Sequence, residues 1–267
     1  MAVTPNNAIE ERRREIERKR KAKKAKRRRL AFKRFLIFLC VVAVVTLVIL
    51  SLTVFFPTQK ITVISEGVSY TDEQIIKASG VKKGKNLWMT GFSAEDDLPV
   101  KLPLIKKADV QRKLPANIII KATPAKAEYC FLIGKDYYIC DENYKVLEIK
   151  KEQDESLILV LGSDAKKTKA GNTILFEDSK KQETVEKIFT SFKAKSIVVN
   201  SVDITKLVDM KINVEGRLKV RLGSMAHFES KLAHLKEMVK NSQKDVKASI
   251  DLSEYTPENG RAILKRE

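Results

Sequence analysis

The longest apolar run in the chain, residues 35–56, contains no charged residue, no glycine and no proline. As an α-helix, about 22 residues at ~1.5 Å each would extend ~33 Å, close to the thickness of a bilayer's hydrocarbon core. A buried core helix of this length would be expected to carry a polar stripe. A cleaved signal peptide normally has a shorter apolar region that ends at a small-residue site, whereas this run ends in Val54-Phe55-Phe56-Pro57. The pattern therefore predicts one retained transmembrane helix.

After this run, the pattern of polar and apolar positions predicts the element order β-α-α-β-β. The first helix has a capping box at residues 71–74 and a glycine stop at Gly80. The second has Glu95, Asp96 and Asp97 in its first turn, where acidic groups favour the helix dipole. A sheet this small needs its helices to cover one face, which predicts one α+β domain. The strands are predicted at residues 59–64, 108–113 and 117–122, and the helices after Thr71 and from Ser93.

The rest of the chain predicts a mixed β-sheet with covering helices. Val185, Ile188, Phe189 and Phe192 repeat at helical spacing within residues 182–193. Ser224 is the predicted N-cap of a second helix, which carries Phe228, Leu232, Leu235 and Met238 towards the sheet. The last two predicted strands are residues 248–252 and 261–264.

One hairpin in this region has a register that can be predicted from parity alone. Ile212 and Val214 alternate with polar residues before Glu215-Gly216, and Leu218 and Val220 do so after it. A two-residue turn would put these apolar sets on opposite faces of the sheet. A three-residue loop pairs Val214 with Leu218 and Ile212 with Val220, so we expect the odd loop.

The positive charge is concentrated before the apolar run. Residues 1–34 hold 15 Lys and Arg against 4 Glu, a net +11 out of the total of +18. Short basic flanks remain cytoplasmic, so we expect residues 1–34 in the cytosol and the C-terminal part outside. Attraction of residues 8–29 to anionic lipid is possible, although setting topology is explanation enough. No aromatic residue is interleaved there to support nucleic-acid binding.

Three cysteines contribute little to the prediction of function. Cys40 lies within the apolar run, and Cys130 and Cys140 flank a predicted hairpin. A three-residue loop at residues 134–136 would place these two cysteines directly opposite each other. A disulfide and a pair of buried thiols are both open at this stage.

Residues 60–121 carry a series of short motifs: Ala78-Ser79-Gly80, Gly84-Lys85-Asn86-Leu87, Pro103, Ala108, Val110, Arg112, Leu114-Pro115, Ile118 and Ile120. With these motifs the segment resembles the POTRA domain of the FtsQ/DivIB cell-division proteins. The resemblance rests on motifs at spaced positions rather than on one decisive signature. The segments also occur in the order of that family. The basic tail, residues 1–34, and the single span, residues 35–56, precede the POTRA-like domain at residues 57–124. The remaining residues, 125–267, resemble the β domain of that family.

The resemblance implies a non-enzymatic scaffold that binds bitopic coiled-coil division proteins of the FtsL and DivIC/FtsB type outside the membrane. It further implies an influence on septal peptidoglycan synthesis. In similar proteins the end of the β domain contacts the FtsB/DivIC-type partner. A terminal strand often lies at a sheet edge, where its free backbone groups can accept another strand. The predicted partner-binding residues are therefore Arg261, Ala262, Ile263 and Leu264.

No catalytic, metal or cofactor site is predicted. His227 and His234 lie seven residues apart on one predicted helix, about 10 Å along its axis, and cannot share a metal without further ligands. No glycine-rich phosphate loop or zinc-spaced cysteine pair occurs. Trp88, the only tryptophan, is expected to pack rather than to stack on a ligand.

Two alternatives to the division scaffold remain. One is a membrane-anchored POTRA-like component of a secretion or conjugation apparatus, which would also be a binding module. The other is a membrane-tethered cell-wall hydrolase, for which the sequence shows neither a nucleophile with a flanking pattern nor a metal set.

Overall fold

The computed structural model describes residues 32–50, 56–243 and 246–266. Helix α1, Phe32–Leu50, has a mean hydropathy of 2.6 and is exposed along its length. It is the one helix among the described residues that is long and apolar enough to cross a membrane. It begins three residues before the predicted span; the end of that span, at residues 51–55, and most of the basic tail lie outside the described residues.

The POTRA-like unit has the predicted order β-α-α-β-β. In its three-stranded sheet β3 lies in the centre, with β1 parallel and β2 antiparallel to it. Ile118 and Ile120 of β3 are fully buried, as are Ile75 and Leu98 of the two helices. The helices therefore cover one face of the sheet, as predicted. The elements are β1 (Lys60–Ile64), α2 (Asp72–Ser79), α3 (Ala94–Lys101), β2 (Ile105–Lys113) and β3 (Asn117–Pro124).

The predicted capping box at the start of α2 is confirmed. The backbone N–H of Gln74 donates to Thr71 Oγ1 at 3.3 Å, and the N–H of Thr71 donates to Gln74 Oε1 at 2.9 Å. Gly80 ends the helix with φ 70°, in the left-handed region that glycine adopts without steric cost. Both ends of α2 are thus determined by local sequence.

A nine-stranded mixed sheet holds the rest of the described chain. Its spatial order is β12-β11-β10-β9-β8-β7-β4-β5-β6. Helices α4 and α5 pack on one face through residues such as Ile188, Phe192 and Leu232. The elements are β4 (Tyr129–Ile133), β5 (Asp136–Cys140), β6 (Val146–Lys150), β7 (Ile158–Leu161), α4 (Ser179–Lys195), β8 (Val199–Asp203), β9 (Met210–Val214), β10 (Leu218–Gly223), α5 (Phe228–Asn241), β11 (Ala248–Asp251) and β12 (Ile263–Arg266).

The predicted register of the β9–β10 hairpin is confirmed, because Val214 pairs with Leu218 and Ile212 with Val220. The prediction for the β4–β5 hairpin is wrong. Ile133 pairs with Asp136 across a two-residue turn, so Cys130 lies opposite Ile139 rather than Cys140. The two cysteines therefore point to opposite faces of the sheet and remain free thiols.

The predicted cap of α5 is also wrong. The helix begins at Phe228 with His227 as N-cap, in the left-handed region at φ 54°. The Ser224 side chain instead accepts a hydrogen bond from the backbone N–H of Ala226 at 3.4 Å. The cap of α4 is Asp178, whose side chain accepts from the N–H of Lys180 at 2.8 Å.

The β6 edge of the large sheet adjoins the POTRA-like unit. Lys106 Nζ donates to Glu142 Oε1 at 2.6 Å, and Lys145 Nζ donates to the carbonyl of Ile105 at 2.5 Å. The same edge is covered by the chain's own loop, since Val146 exchanges backbone hydrogen bonds with Gly171 and Asn172. One edge of the sheet is thus closed, which leaves the β12 edge at the opposite end.

Candidate partner-binding edge

Strand β12 lies at an outer edge of the sheet and pairs only with β11 among the described residues. The pairing is antiparallel, with Ile263 opposite Asp251 and Leu264 opposite Ile250. The strand begins two residues later than predicted, so Arg261 and Ala262 precede it. The outer backbone groups of β12 have no strand beside them in the described structure, which leaves them available to another strand.

The loop before β12 fixes the position at which the strand begins. Thr256 and Asn259 bond reciprocally, each backbone N–H donating to the other's side-chain oxygen, at 3.0 and 3.3 Å. Asn259 Oδ1 also accepts from the N–H of Arg261 at 3.0 Å. Gly260 at φ 54° then turns the chain, and Ala262 packs against the core. This loop delivers Ile263 and Leu264 to β11 in a defined register.

Leu264 lines a groove of about 460 Å³ between α5 and the strands. Its floor is apolar, with Ile250 and Leu218 almost fully buried. At its rim His234 stacks on Tyr255, with ring centroids 5.0 Å apart. The groove therefore offers an apolar slot next to free strand positions. Its lining residues are Leu218, His234, Glu237, Met238, Asn241, Ser242, Gln243, Val246, Ala248, Ile250 and Leu264.

The opposite face of this edge is charged. Arg221 Nε lies 2.5 Å from Asp209 and its NH1 lies 3.3 Å from Asp251. The hydrogen bond from Arg221 holds the pKa of Asp209 below its ordinary value. Burial raises the pKa of Asp251, but hydrogen bonds from Ser253 and Arg221 outweigh it and the net shift is downward. These carboxylates are therefore ionised at neutral pH, and Ile263, 46% exposed, lies beside them as the apolar residue of this face.

The sequence located this edge but not its surroundings. The exposed Ile263 and Leu264 belong to β12, whereas Arg261 and Ala262 shape the loop before it. The groove residues on α5 and the Arg221 cluster were missed. Periodicity reports which face of a helix is apolar, but not that Met238 and Val246 meet Leu264 at a gap in the packing.

A second cavity, of about 410 Å³, lies between β4 and α4. Tyr129 and Tyr144 line it together with Glu142, Glu186 and Lys193. Burial raises the pKa of both phenols, so they are protonated at neutral pH. His227 and His234 lie elsewhere, and the described residues contain no cluster of three or more His, Cys, Asp or Glu that could hold a metal.

Comparison with known proteins connects these features to a family. The model of the FtsQ-type POTRA domain matches residues 56–123. The cell division protein DivIB of Clostridium acetobutylicum is 29% identical over 185 residues, which cover 68% of this chain and 73% of that protein. DivIB of Clostridium botulinum strain Hall is 25% identical over 199 residues, 71% and 76% of the two chains. DivIB of Clostridium tetani is 32% identical over 108 residues, 40% of each.

The chain is similar to the DivIB cell division proteins, and its residues 56–123 match the FtsQ-type POTRA domain. The POTRA match coincides with the three-stranded unit, and the longer alignments extend beyond it into the nine-stranded sheet. The predicted resemblance to the FtsQ/DivIB proteins and the α+β architecture are confirmed, and the relatives support a role in cell division. The apolar helix α1 fits a membrane-anchored division protein.

Proposed function

We propose that the protein is a non-enzymatic scaffold of the bacterial division machinery. In this proposal it binds bitopic coiled-coil division proteins of the FtsL and DivIC/FtsB type outside the membrane, and through them influences septal peptidoglycan synthesis. Support comes from the DivIB relatives together with one structural observation. That observation is the free β12 edge, with Ile263 and Leu264 46% and 47% exposed beside an apolar groove.

The proposed binding mode is addition of a partner strand to β12. Backbone hydrogen bonds to an edge strand supply affinity, and pockets for alternate side chains supply specificity. On one face of the edge, the groove at Leu264 is such a pocket. On the other face, Ile263 and the charged cluster around Arg221 form the contact surface for the partner's side chains. Lys265 blunts the edge against non-specific pairing, so a partner with acidic residues beside its strand is favoured.

The other domains take supporting roles in this proposal. α1 anchors the protein in the cell membrane, with residues 1–34 in the cytosol and residues 57–267 outside. Residues 57–124 form the POTRA domain and residues 125–267 the β domain. The protein would act at the division septum, where its partners are assembled.

The test uses two adjacent proline variants in the full-length protein, Ile263→Pro and Leu264→Pro. Successive amides of an antiparallel edge strand point alternately to the neighbouring strand and outward. Proline has no N–H to donate. One variant therefore weakens the β11–β12 pairing, and the other leaves that pairing intact while removing an outward donor. Folding is followed by thermal unfolding and binding by titration with the purified coiled-coil partner.

We expect the variant that keeps wild-type thermal stability to bind at least tenfold more weakly. Val208→Pro, in an exposed connection between β8 and β9, is the control for a proline elsewhere and should bind normally. If the stable β12 variant binds the partner with wild-type affinity, the site lies elsewhere.

A further inference from the structure

Four large apolar side chains are exposed at one end of the POTRA domain. Trp88 is 43% exposed, Met89 74%, Phe92 73% and Leu114 58%. Isolated exposed apolar residues are common, but several together mark a contact surface. We call these four residues the apolar tip.

Backbone hydrogen bonds place the apolar tip next to the chain that emerges from the membrane. Leu87 N–H donates to the carbonyl of Phe56 at 2.8 Å, and Thr58 N–H donates to the carbonyl of Lys85 at 2.8 Å. Gln59 N–H donates to the carbonyl of Ala116 at 2.8 Å, so the β2–β3 turn with Leu114 lies at the same end.

The distance to the membrane is limited by the chain itself. Phe56 follows Leu50, the last residue of α1, by six residues. Six extended residues span at most ~20–22 Å, because each adds no more than about 3.3–3.6 Å. The intervening residues 51–55 are apolar apart from Ser51 and Thr53, and the apolar sequence runs on to Phe56. The tip therefore lies close to the outer surface of the bilayer.

The loop that carries Trp88 and Met89 is held in one conformation. Asn86 Oδ1 accepts from the N–H groups of Trp88 at 2.8 Å and of Met89 at 3.1 Å. Arg112 donates through Nε to the carbonyl of Leu87 at 3.1 Å and through NH2 to that of Thr90 at 3.0 Å. Because Leu87 is fully buried, the residues that follow it, Trp88 and Met89, are held on the outside of the domain. A preorganised contact loses little conformational entropy on binding.

The charges around the tip match an anionic surface. Four exposed lysines lie in the same loop and turn. Of the three acids that follow Phe92, Asp97 pairs with Lys101, Glu95 accepts from the N–H of Val110 and Asp96 is exposed, so positive charge still exceeds negative charge at this end. Tryptophan prefers the headgroup region, where its ring is partly apolar and its N–H remains hydrated. The exposed lysines are Lys82, Lys83, Lys85 and Lys113.

We propose that the apolar tip docks on the outer leaflet of the membrane, with Trp88 in the headgroup region and the lysines at anionic lipid phosphates. Continuity with α1 selects lipid as the occupant, because the bilayer is the surface that the chain cannot leave. The docked tip gives the POTRA domain a second attachment to the membrane beside α1, and so restricts its orientation. This inference is independent of any partner at β12.

Trp88 is the only tryptophan, so its fluorescence reports on the tip directly. The full-length protein is placed in nanodiscs of phosphatidylcholine and phosphatidylglycerol, with or without brominated acyl chains. We expect brominated lipid to lower the emission of Trp88 at least twofold and iodide to quench it weakly. The matched control moves the reporter to the large sheet, in a Trp88→Phe, Val208→Trp variant, because Val208 is 76% exposed. That variant should show strong iodide quenching and no effect of brominated lipid.

Two results would overturn the proposal. If iodide quenches Trp88 as strongly as it quenches the reporter at position 208, Trp88 is exposed to water and the tip is not docked. Trp88 that is shielded from iodide but insensitive to brominated lipid is covered by protein, such as a second copy of the chain. The charge argument is tested by replacing Lys82, Lys83 and Lys85 with Gln. In discs that contain phosphatidylglycerol, raising the salt concentration should abolish quenching by brominated lipid, and it should do so at a lower salt concentration in this variant than in the wild type. An unchanged salt dependence would refute the lysine contribution.

Discussion

Ile250 and Leu264 lie opposite each other across β11 and β12, yet Ile250 is 1% exposed and Leu264 47%. The boundary between core and surface therefore runs between two paired residues of one sheet. The inner residue contributes to stability, while the outer one retains apolar area that a partner can bury.

This difference predicts that two alanine variants lower the free energy of unfolding by unequal amounts. Ile250→Ala should lower the free energy of unfolding by roughly 2–5 kcal/mol, as for other buried aliphatic truncations. Leu264→Ala should lower it by about 1 kcal/mol or less, because its side chain is only half buried. Thermal or denaturant unfolding of the full-length protein in detergent measures both. Equal losses of stability would place Leu264 in the core.

A second prediction concerns two glycines in the same backbone conformation. Gly162 has φ 70° and Gly216 φ 67°, so alanine at either should cost roughly 1–2 kcal/mol of conformational strain. A Cβ on Gly162 would also overlap the backbone of Thr205, whereas one on Gly216 meets nothing within 4 Å. Gly162→Ala should therefore be the more destabilising by a further ~1–3 kcal/mol. Comparable unfolding midpoints for the two variants would contradict this close approach.

A third prediction is that Cys130 and Cys140 stay reduced outside the membrane. They are buried on opposite faces of the sheet, and burial raises the pKa of both thiols, which disfavours the reactive thiolate. Alkylating reagents should modify them only after unfolding. Mass spectrometry of protein from oxidising culture checks this, and a loss of two hydrogens assigned to this pair would contradict the β4–β5 register.

A fourth prediction follows from the contact between α4 and α5. Glu229 accepts from Ser191 at 2.5 Å and lies 3.1 Å from Lys195, and these hydrogen bonds lower its pKa from 4.5. A lowered carboxyl pKa stabilises the fold above the unfolded value, and that contribution disappears as pH falls through the folded value. Glu229→Gln should therefore reduce the difference in thermal stability between neutral pH and pH values below 4.5. Because Glu229 is largely exposed, we expect a small effect; an unchanged pH dependence would refute it.

The fifth prediction is topological. In spheroplasts, external protease should remove the C-terminal part of the protein and spare an epitope placed before Arg12. Neutralising most basic residues at positions 12–29 should weaken this orientation, because the charge asymmetry across the span is the main topological signal. Protection of the C-terminus in intact spheroplasts would contradict the proposed topology.

Local chemistry explains which elements could be predicted from sequence. The α2 capping box and the β9–β10 register depend on residues within a few positions of each other, and both predictions are confirmed. The errors concern a turn length and a helix start, where more than one local arrangement fits the same residues. Gly134-Lys135 forms a two-residue turn where a three-residue loop at residues 134–136 was expected, and Ser224 lies four residues before Phe228, too early to be the N-cap of the helix that begins there.

The candidate site shows the same division. Sequence placed an edge strand at the C-terminus, because terminal strands often lie at edges. It did not reveal the groove, since Leu264, Met238 and Ile250 come from three elements that only the folded sheet brings together. The salt bridges from Arg221 to Asp209 and Asp251 also join residues distant in sequence.

The order of the strands sets the distance between the two edges of the large sheet. The strands at the two edges, β6 beside the POTRA-like unit and β12, are the outermost of nine, and the eight inter-strand steps of about 4.8 Å between them give ~38 Å across the sheet. An α-helix needs about 25 residues to cover that length. A partner that bound at β12, as proposed, would therefore meet the protein ~38 Å from the contact with the POTRA-like unit.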